Sequence, residues 1–174
     1  MITTLEMEYS INNYFVNIQN FLACVPRVSK GFKIHECDIL AISKKYSLIE
    51  IEIKRSVADC KADKKKEHKH KDKHHRLQYQ YFAVPKSILV ECVPYIPEHF
   101  GILTVDDTSN DNLCFYVEEV RKPKLNPYYR IVTQGEVYNL LSTGSKRYWS
   151  LIKTCYEKGF DFGEENEEED EGEL

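Results

Sequence analysis

The sequence has no uninterrupted apolar run that approaches the ~20 residues needed to cross a bilayer as a helix. Its first ten residues, MITTLEMEYS, lack the basic start and the apolar stretch of a secretory signal peptide. No CxxC pair occurs, which argues against a zinc site of cysteine pairs and against a disulfide framework. We therefore expect a cytoplasmic protein without membrane contact, whose six dispersed cysteines act as small buried apolar side chains.

The composition is that of one folded domain followed by a charged tail. The chain has 174 residues, 42% hydrophobic and 30% charged, and its twelve Tyr and eight Phe can build a core. The last eleven residues hold eight acidic groups and no basic one, so the net charge of -4 becomes +4 without them. We predict a single domain over 1–162 and a disordered acidic tail over 163–174. An alternative role for this tail is to screen a basic nucleic-acid groove.

Hydrophobic periodicity predicts an α/β fold with a mixed central sheet flanked by helices. Apolar side chains recur at helical spacing over 3–22, with Glu8 at the edge of the buried face, and Pro26 and Gly31 mark a loop. The later predicted elements are strands over 32–43 and 46–56, a helix over 59–78, strands over 79–84, 101–105 and 113–120, and a helix over 136–157 with a break near Gly144. The expected core residues of this last helix include Tyr148, Trp149 and Leu151.

The second predicted strand carries an unusual alternation. Three isoleucines occupy one face, and the other face presents Glu50, Glu52 and Lys54, because side chains alternate with period two. One interpretation is a solvated strand face with a modest Glu–Lys attraction. The first strand favours another one, since Asp38 lies in an apolar context, HECDILAI, where aspartate is disfavoured.

Asp38 lies one hairpin away from Glu52, so the two carboxylates can converge across neighbouring strands. Two carboxylates plus water suit a hard divalent cation such as Mg²⁺ or Mn²⁺. Lys54, two residues beyond Glu52 on the same face, could orient an attacking water and offset phosphate charge. The pattern therefore predicts a metal-assisted hydrolytic site.

The spacing Asp38…Glu52-Ile53-Lys54 resembles the PD-(D/E)xK nuclease signature. The segments EIKRSVADCKADKKK, QYFAVP and IPEHFGILTVD are similar to the MmcB family of bacterial DNA-repair-associated proteins, and the likeness covers about residues 5–107. The resemblance implies a restriction-endonuclease-like fold and Mg²⁺-dependent hydrolysis of phosphodiester bonds in DNA.

The resemblance also implies roles for individual residues. Asp38 and Glu52 would be metal ligands, Lys54 the water-orienting amine, and Glu8 the inward helix acid near the metal. The positions with supporting rather than chemical roles would be Ser56, Asp59 and Asp63. The sequence departs from the family pattern in lacking the expected aromatic residue of the charged helix, which is rich in Lys and His instead.

The charged segment over 61–76 allows three interpretations. It is a solvated basic face, or a surface that contacts the phosphate backbone of DNA, or a zinc or nickel site. The lysines that would contact phosphates are Lys61, Lys64, Lys65, Lys66, Lys69 and Lys73. The histidines that would bind a metal are His68, His70, His74 and His75.

Other segments carry weaker signals. Asp106 and Asp107 end a strand, where they suit either a turn or a pair of acids beside the metal site. The stretch RKPKLNPYYR over 121–130 mixes basic and aromatic residues, which either stack on bases or belong to a loop that covers the core.

Three functions therefore compete. The first is a DNA nuclease, the second a catalytically silent DNA-binding module of the same fold, and the third a metal-binding regulator built on the histidine-rich segment. The sequence leaves the oligomeric state open, and a homodimer is compatible with it.

Overall fold

The computed structural model describes residues 2–28, 36–64, 76–106 and 115–160, and it describes only the backbone of residues 63 and 64. Its strands are β1 Ala23–Val28, β2 Cys37–Ile42, β3 Leu48–Ile53, β4 Leu77–Pro85, β5 Gly101–Asp106 and β6 Tyr116–Arg121. Its α-helices are α1 Thr4–Asn13, α2 Val57–Lys64, α3 Leu89–Cys92 and α4 Gln134–Glu157. The strands form one six-stranded sheet in sequence order. The predicted α/β class is confirmed.

Helix α1 begins with a capping box. The Thr3 hydroxyl accepts a hydrogen bond from the Glu6 N–H, and the Glu6 carboxylate accepts one from the Thr3 N–H. A π-helical turn, Tyr14–Ile18, follows and ends the helical segment. The predicted helix over 3–22 is therefore too long. Apolar residues recur at helical spacing as far as Leu22, but the helical backbone ends at Ile18.

Strand β1 occupies the position where the sequence predicted only a loop around Pro26. Proline lacks an N–H group, which is tolerated at the edge of a sheet, and β1 is an edge strand. Arg27 in this strand has a φ of 53°. The prediction was wrong because a proline signal alone does not distinguish a loop from an edge strand.

The β2–β3 hairpin predicted from the sequence is confirmed. The two strands pair antiparallel, with Ile39 opposite Ile51 and Leu40 opposite Glu50. Strand β3 then pairs parallel with β4, which pairs parallel with β5, and β6 closes the sheet antiparallel to β5. The sheet is therefore mixed, and β3 lies inside it.

Two predicted boundaries need correction. Leu77 and Gln78 belong to β4, so the predicted helix over 59–78 extends too far at its end, where an apolar strand begins. Helix α4 runs over Gln134–Glu157 without the break expected near Gly144. A single glycine costs an α-helix about 1 kcal/mol, which does not suffice to end it.

Both faces of the sheet are covered. On one face, α1 packs through Met7 and Ile11 against a cluster that includes Ile39 and Ile51. On the other face lie two clusters, one with Val137 and Leu140 of α4 and one with Cys60 of α2 and Phe82 of β4. Because strand residues alternate, Glu50 and Glu52 project toward this second face.

The chain divides into two compact units, Met1–Gly144 and Ser145–Leu174. The first contains the whole sheet. The described part of the second is mainly the later turns of α4, where Tyr148, Trp149 and Leu151 are 57%, 65% and 51% exposed. The prediction that these three are core residues is wrong, since an apolar helix face does not by itself supply a partner that covers it. The single domain predicted over 1–162 stays a prediction.

Among the helices that the structure describes, none is long and apolar enough to span a membrane.

Candidate active site

Asp38 lies near the start of β2, at the point where its paired register with β3 ends. Continuing that register by one residue places Asp38 opposite Glu52. The Ile53 N–H donates a hydrogen bond of 2.8 Å to Asp38 Oδ2. The aspartate side chain thus satisfies the last amide of β3, which fixes its carboxylate at the end of the hairpin.

Strand β3 buries its acidic residues. All six residues from Leu48 to Ile53 are buried, including Glu50 at 1% exposure and Glu52 at 9%. The interpretation of this face as solvated is wrong, because α2 and the residues around it cover the sheet there. Burying a carboxylate is costly unless nearby groups compensate its charge, so these positions require an electrostatic explanation.

Lys54 supplies part of that compensation. It follows β3 directly, and its backbone N–H donates to the Ala83 carbonyl of β4. Its ammonium is buried, donates to Glu52 Oε2 at 3.1 Å and lies 5.3 Å from the centre of the Phe82 ring. The ion pair and the aromatic face hold the amine beside Glu52.

Several groups act on the Glu52 carboxyl. Burial raises its pKa above the usual value, and the carboxylates of Glu50 and Asp38 raise it further, whereas the Lys54 ammonium lowers it. The net direction is upward. Three acids and one lysine therefore influence one another in this low-dielectric region.

One oxygen of Glu52 is left for another ligand. Within the described residues, the buried Oε1 atom of Glu52 has no hydrogen-bond partner. Buried carboxylate oxygens are normally satisfied by donors, water or a cation. With Asp38 beside Glu52, the donors fit a divalent cation that takes one or two carboxylates and completes its coordination with water or phosphate oxygens.

The predicted third ligand, Glu8, is paired with an arginine of β1. Its carboxylate accepts from the Arg27 guanidinium, at 3.1 Å to Oε1 and 3.4 Å to Oε2. In the part of the chain that the structure describes, no three His, Cys, Asp or Glu side chains form a metal-binding group. The structure thus brings Asp38, Glu52 and Lys54 together, and a metal-binding role for Glu8 stays a prediction.

The residues predicted to support the site lie in α2 or directly before it. The Ser56 hydroxyl accepts from the Asp59 N–H at 3.1 Å, which caps the start of the helix, and Asp59 itself is exposed. The Lys61 ammonium lies 5.3 Å from the centre of the Tyr95 ring. Asp63 and Lys64 are in the same helix, but their side chains lie outside the described part.

Several predicted residues lie outside the described residues altogether. They are Lys65, Lys66, Lys69, Lys73, the four histidines His68, His70, His74 and His75, and Asp107. Asp106 is described, and its carboxylate pairs with the Lys86 ammonium at 2.9 Å.

The basic and aromatic segment over 121–130 is partly structural. Arg121 donates to the carbonyls of Phe100 and Pro97, and Arg130 pairs with Glu136. Tyr128 is exposed. The alternative role of the segment over 121–130, in which its aromatic residues stack on bases, stays a prediction.

Gln80 is a residue that the sequence reasoning missed. The β3–β4 register pairs it with Glu50, and its Nε2 amide donates to Glu50 Oε2 at 2.6 Å. Only the parallel register of β4 reveals this contact, because the two residues are far apart in sequence. The alternating pattern Gln78, Gln80 within an apolar strand was the available signal.

The fold and the site together define an α/β protein with two carboxylates and a lysine at the end of a β-hairpin within a mixed sheet. The chain belongs to the MmcB-like family of DNA repair proteins, whose sequence profile matches residues 5–130. The resemblance to the MmcB family that the sequence indicated is therefore confirmed.

A solved structure supports the fold. The chain is similar to a protein of unknown function from Silicibacter pomeroyi, with a TM-score of 0.59 and 16% identity over 94% of this chain and 99% of that one. At this identity the likeness shows the fold alone. No curated protein sequence gives a significant match.

Proposed function

We propose that this protein is a metal-dependent nuclease that hydrolyses phosphodiester bonds in DNA. Its fold would be the restriction-endonuclease-like one that the family resemblance implies. Membership in a DNA repair family supports DNA as the substrate. The observation that carries the proposal is the buried Glu52 Oε1, which has no hydrogen-bond partner among the described residues and lies beside Asp38 and Lys54.

Asp38 and Glu52 would hold Mg²⁺ or Mn²⁺. When bound, such an ion polarises a phosphate oxygen and lowers the pKa of its water. The Ile53 N–H holds the Oδ2 atom of Asp38 and so preorganises this carboxylate for the task. Preorganisation removes the cost of reorienting a ligand during the reaction.

Lys54 would position the nucleophile. Its ammonium is held between Glu52 Oε2 and the Phe82 ring, so it points along the same face as the two acids. Ammonium N–H groups can orient a water molecule and stabilise negative charge that develops on a phosphate oxygen. Burial strengthens that stabilisation, because the local dielectric is low.

The DNA backbone would approach over α2. Lys61 lies on this helix and its side chain is exposed, and the lysines at 64, 65, 66, 69 and 73 continue the basic segment in the sequence. Lysines along such a path neutralise phosphates and make binding sensitive to salt.

The test is cleavage of duplex, single-stranded, branched and mismatched DNA with Mg²⁺ or Mn²⁺. We expect metal-dependent cleavage by the wild-type protein and a loss of about a hundredfold or more in Asp38→Asn. DNA binding by this variant, followed by fluorescence anisotropy, should stay within about twofold of wild type, because phosphate contacts supply most of the affinity.

The matched control is Glu118→Gln, which removes one charge from an exposed position on β6. It should cleave at the wild-type rate. Equal cleavage by Asp38→Asn would overturn the assigned site. Salt-dependent DNA binding without cleavage on any substrate would identify a silent DNA-binding module and contradict the proposal.

A further inference from the structure

Two buried cysteines that the proposed mechanism does not use lie side by side. Cys60 belongs to α2 and Cys92 ends α3, and both belong to the apolar cluster around Phe82. Their exposed fractions are 1% and 0%. Among the described residues, the five cysteines are free thiols. The sequence gives no sign that these two form a pair, because they are 32 positions apart.

The two sulfur atoms are closer than ordinary packing brings them. The Cys60 thiol donates to Cys92 Sγ at a distance of 2.8 Å. Carbon atoms, which are smaller than sulfur, make their best non-bonded contacts at about 3.5–4.0 Å. A disulfide bond is about 2.05 Å long, so the sulfur atoms need to approach by roughly 0.8 Å more. Two thiols in this position are close enough for a covalent bond to form with little movement.

The helix α3 controls access to this pair. It is a single helical turn, Leu89–Cys92, with a 3₁₀ turn on each side, Lys86–Ile88 and Val93–Tyr95. Val90 is 84% exposed, so the turn lies at the surface. Burial raises the pKa of both thiols, which keeps them protonated and unreactive while α3 is in place. Short surface elements open locally at a low cost in free energy, and such an opening would expose both sulfur atoms to a small oxidant.

We propose that Cys60 and Cys92 are a site of reversible oxidation, at which a peroxide converts the two thiols into one intramolecular disulfide bond. One sulfur, as its thiolate, attacks hydrogen peroxide, which gives a sulfenic acid and, after protonation of the leaving hydroxide, one water molecule. The second sulfur displaces the sulfenic hydroxyl group, and a second water molecule leaves. The two thiols lose two protons and two electrons in total, and the peroxide takes them up to form the two water molecules.

The bond would join α2 to α3. It would close a loop over residues 60–92 that contains the charged segment of the sequence, 61–76. Such a cross-link stabilises a protein mainly by restricting its unfolded chain, and more so for longer loops. The oxidised protein should therefore be more stable than the reduced one. This inference does not depend on the proposed metal site, so it and the proposed nuclease activity are tested separately.

Peptide mapping without reduction tests the pairing. The wild-type protein is treated with hydrogen peroxide, its remaining thiols are alkylated in denaturant, and the chain is digested with trypsin. Trypsin leaves the two cysteines in the peptides 56–61 and 87–121. We expect mass spectrometry to find these two peptides linked, and to find them separate after reduction with dithiothreitol.

The peptide 87–121 also contains Cys114, so the partner has to be assigned. A second digestion with a glutamate-specific protease cuts after Glu91 and Glu98 and separates Cys92 from Cys114 without any substitution. In addition, Cys92→Ala should lose the link and Cys114→Ala should retain it. A link to Cys114, a link found only in covalent dimers, or oxidation of the thiols to sulfinic acid without any link would overturn the inference.

Thermal unfolding followed by circular dichroism gives a second readout. Peroxide treatment should raise the melting temperature of the wild type by about 5–10 °C, and dithiothreitol should reverse the rise. Cys60→Ala should show no such rise. The matched control is Cys37→Ala, which removes another buried thiol and should keep the rise, because each variant is compared with its own reduced form. An unchanged melting temperature of the wild type after peroxide treatment would contradict the proposed cross-link.

Discussion

The Asp38 carboxylate performs a structural task that is separate from its proposed chemistry. Its Oδ2 atom accepts from the Ile53 N–H where the β2–β3 ladder ends. Removing the side chain would leave that amide without its acceptor, and a buried donor without a partner costs about 1–3 kcal/mol. Asparagine retains an oxygen that can accept the same hydrogen bond.

We therefore predict that Asp38→Ala lowers the free energy of unfolding by about 1–3 kcal/mol more than Asp38→Asn does. Urea unfolding followed by circular dichroism measures both values. The comparison also identifies asparagine as the cleaner variant for tests of activity. Equal stability of the two variants would mean that the Ile53 amide finds another acceptor.

The Glu52–Lys54 pair gives a second prediction at this scale. Lys54→Met would leave the buried Glu52 carboxylate without the ammonium that lies 3.1 Å away. Breaking a buried ion pair on one side costs about 3–5 kcal/mol, whereas replacing both charges is often neutral. We expect Lys54→Met to be strongly destabilised and the double variant Glu52→Gln/Lys54→Met to recover most of that loss.

A double-mutant cycle of unfolding free energies measures this coupling. The comparison is made without divalent cations, so that it reports on the ion pair alone. If the double variant is as unstable as Lys54→Met, then the lysine stabilises the fold by packing on Phe82 rather than by its charge.

The sequence was sufficient to predict which side chains meet at the end of the β2–β3 hairpin. Asp38, Glu52 and Lys54 could be selected because period-two alternation and a short hairpin place them near one another. The burial of Glu50 was not predictable, because the alternating pattern is the same for a solvated and a covered face. Its partner Gln80 depends on the register of a parallel strand, which no local pattern specifies.

At the scale of elements, local patterns predicted the sheet better than its boundaries. Five of the six strands overlap predicted ones, because short apolar runs such as GILTV and YQYFAV are typical of buried strands. Strand β1 was missed because Pro26 is a typical loop signal, and the edge position of this strand is what makes the proline acceptable. The end of α1 was misplaced because apolar residues continue at nearly helical spacing through the π-helical turn that follows it.

The start of α4 is held by a charge cluster. Glu136 accepts from Arg130 at 2.7 Å and 3.0 Å, pairs with Arg76, and accepts from the Thr133 N–H at 2.9 Å in a capping arrangement. These interactions join the helix to Arg76, the residue that precedes β4. The Arg130 side chain is 42% exposed, so solvent screens part of the attraction.

This cluster predicts a pH dependence of stability. The hydrogen bond from Arg130, assisted by the other donors, lowers the pKa of Glu136 to about 2, against a usual value of 4.5. Because the folded pKa is the lower one, the stabilisation is present above about pH 4.5 and is lost as the pH falls toward 2. Glu136→Gln should lower the free energy of unfolding by about 1 kcal/mol at pH 7, a value discounted for screening.

Denaturant unfolding at several pH values tests this. The difference between wild type and Glu136→Gln should shrink steadily as the pH falls from 5 toward 2, because protonated Glu136 resembles glutamine. A difference that stays constant over this range would show that Glu136 contributes through packing or capping rather than through its charge.

At the scale of the whole molecule, the charge is divided along the chain. The net charge is -4, although the chain without its last eleven residues carries +4. For a member of a DNA repair family, a basic body favours association with a polyanion, and an acidic tail opposes it. The tail lies outside the described residues, so the prediction that it screens a nucleic-acid groove depends on charge alone.

We predict that a chain ending at residue 162 binds duplex DNA more tightly than the full chain, by about fivefold at about 50 mM salt. The difference should nearly vanish at about 1 M salt, where the Debye length falls to roughly 3 Å. Fluorescence anisotropy titrations across this range measure both effects. A full-length control in which the tail acids are replaced by glutamine should bind as the truncated chain does, because the proposed screening depends on charge and not on length. Equal affinities of all three proteins at low salt would show that the acidic residues do not act on the DNA-binding surface.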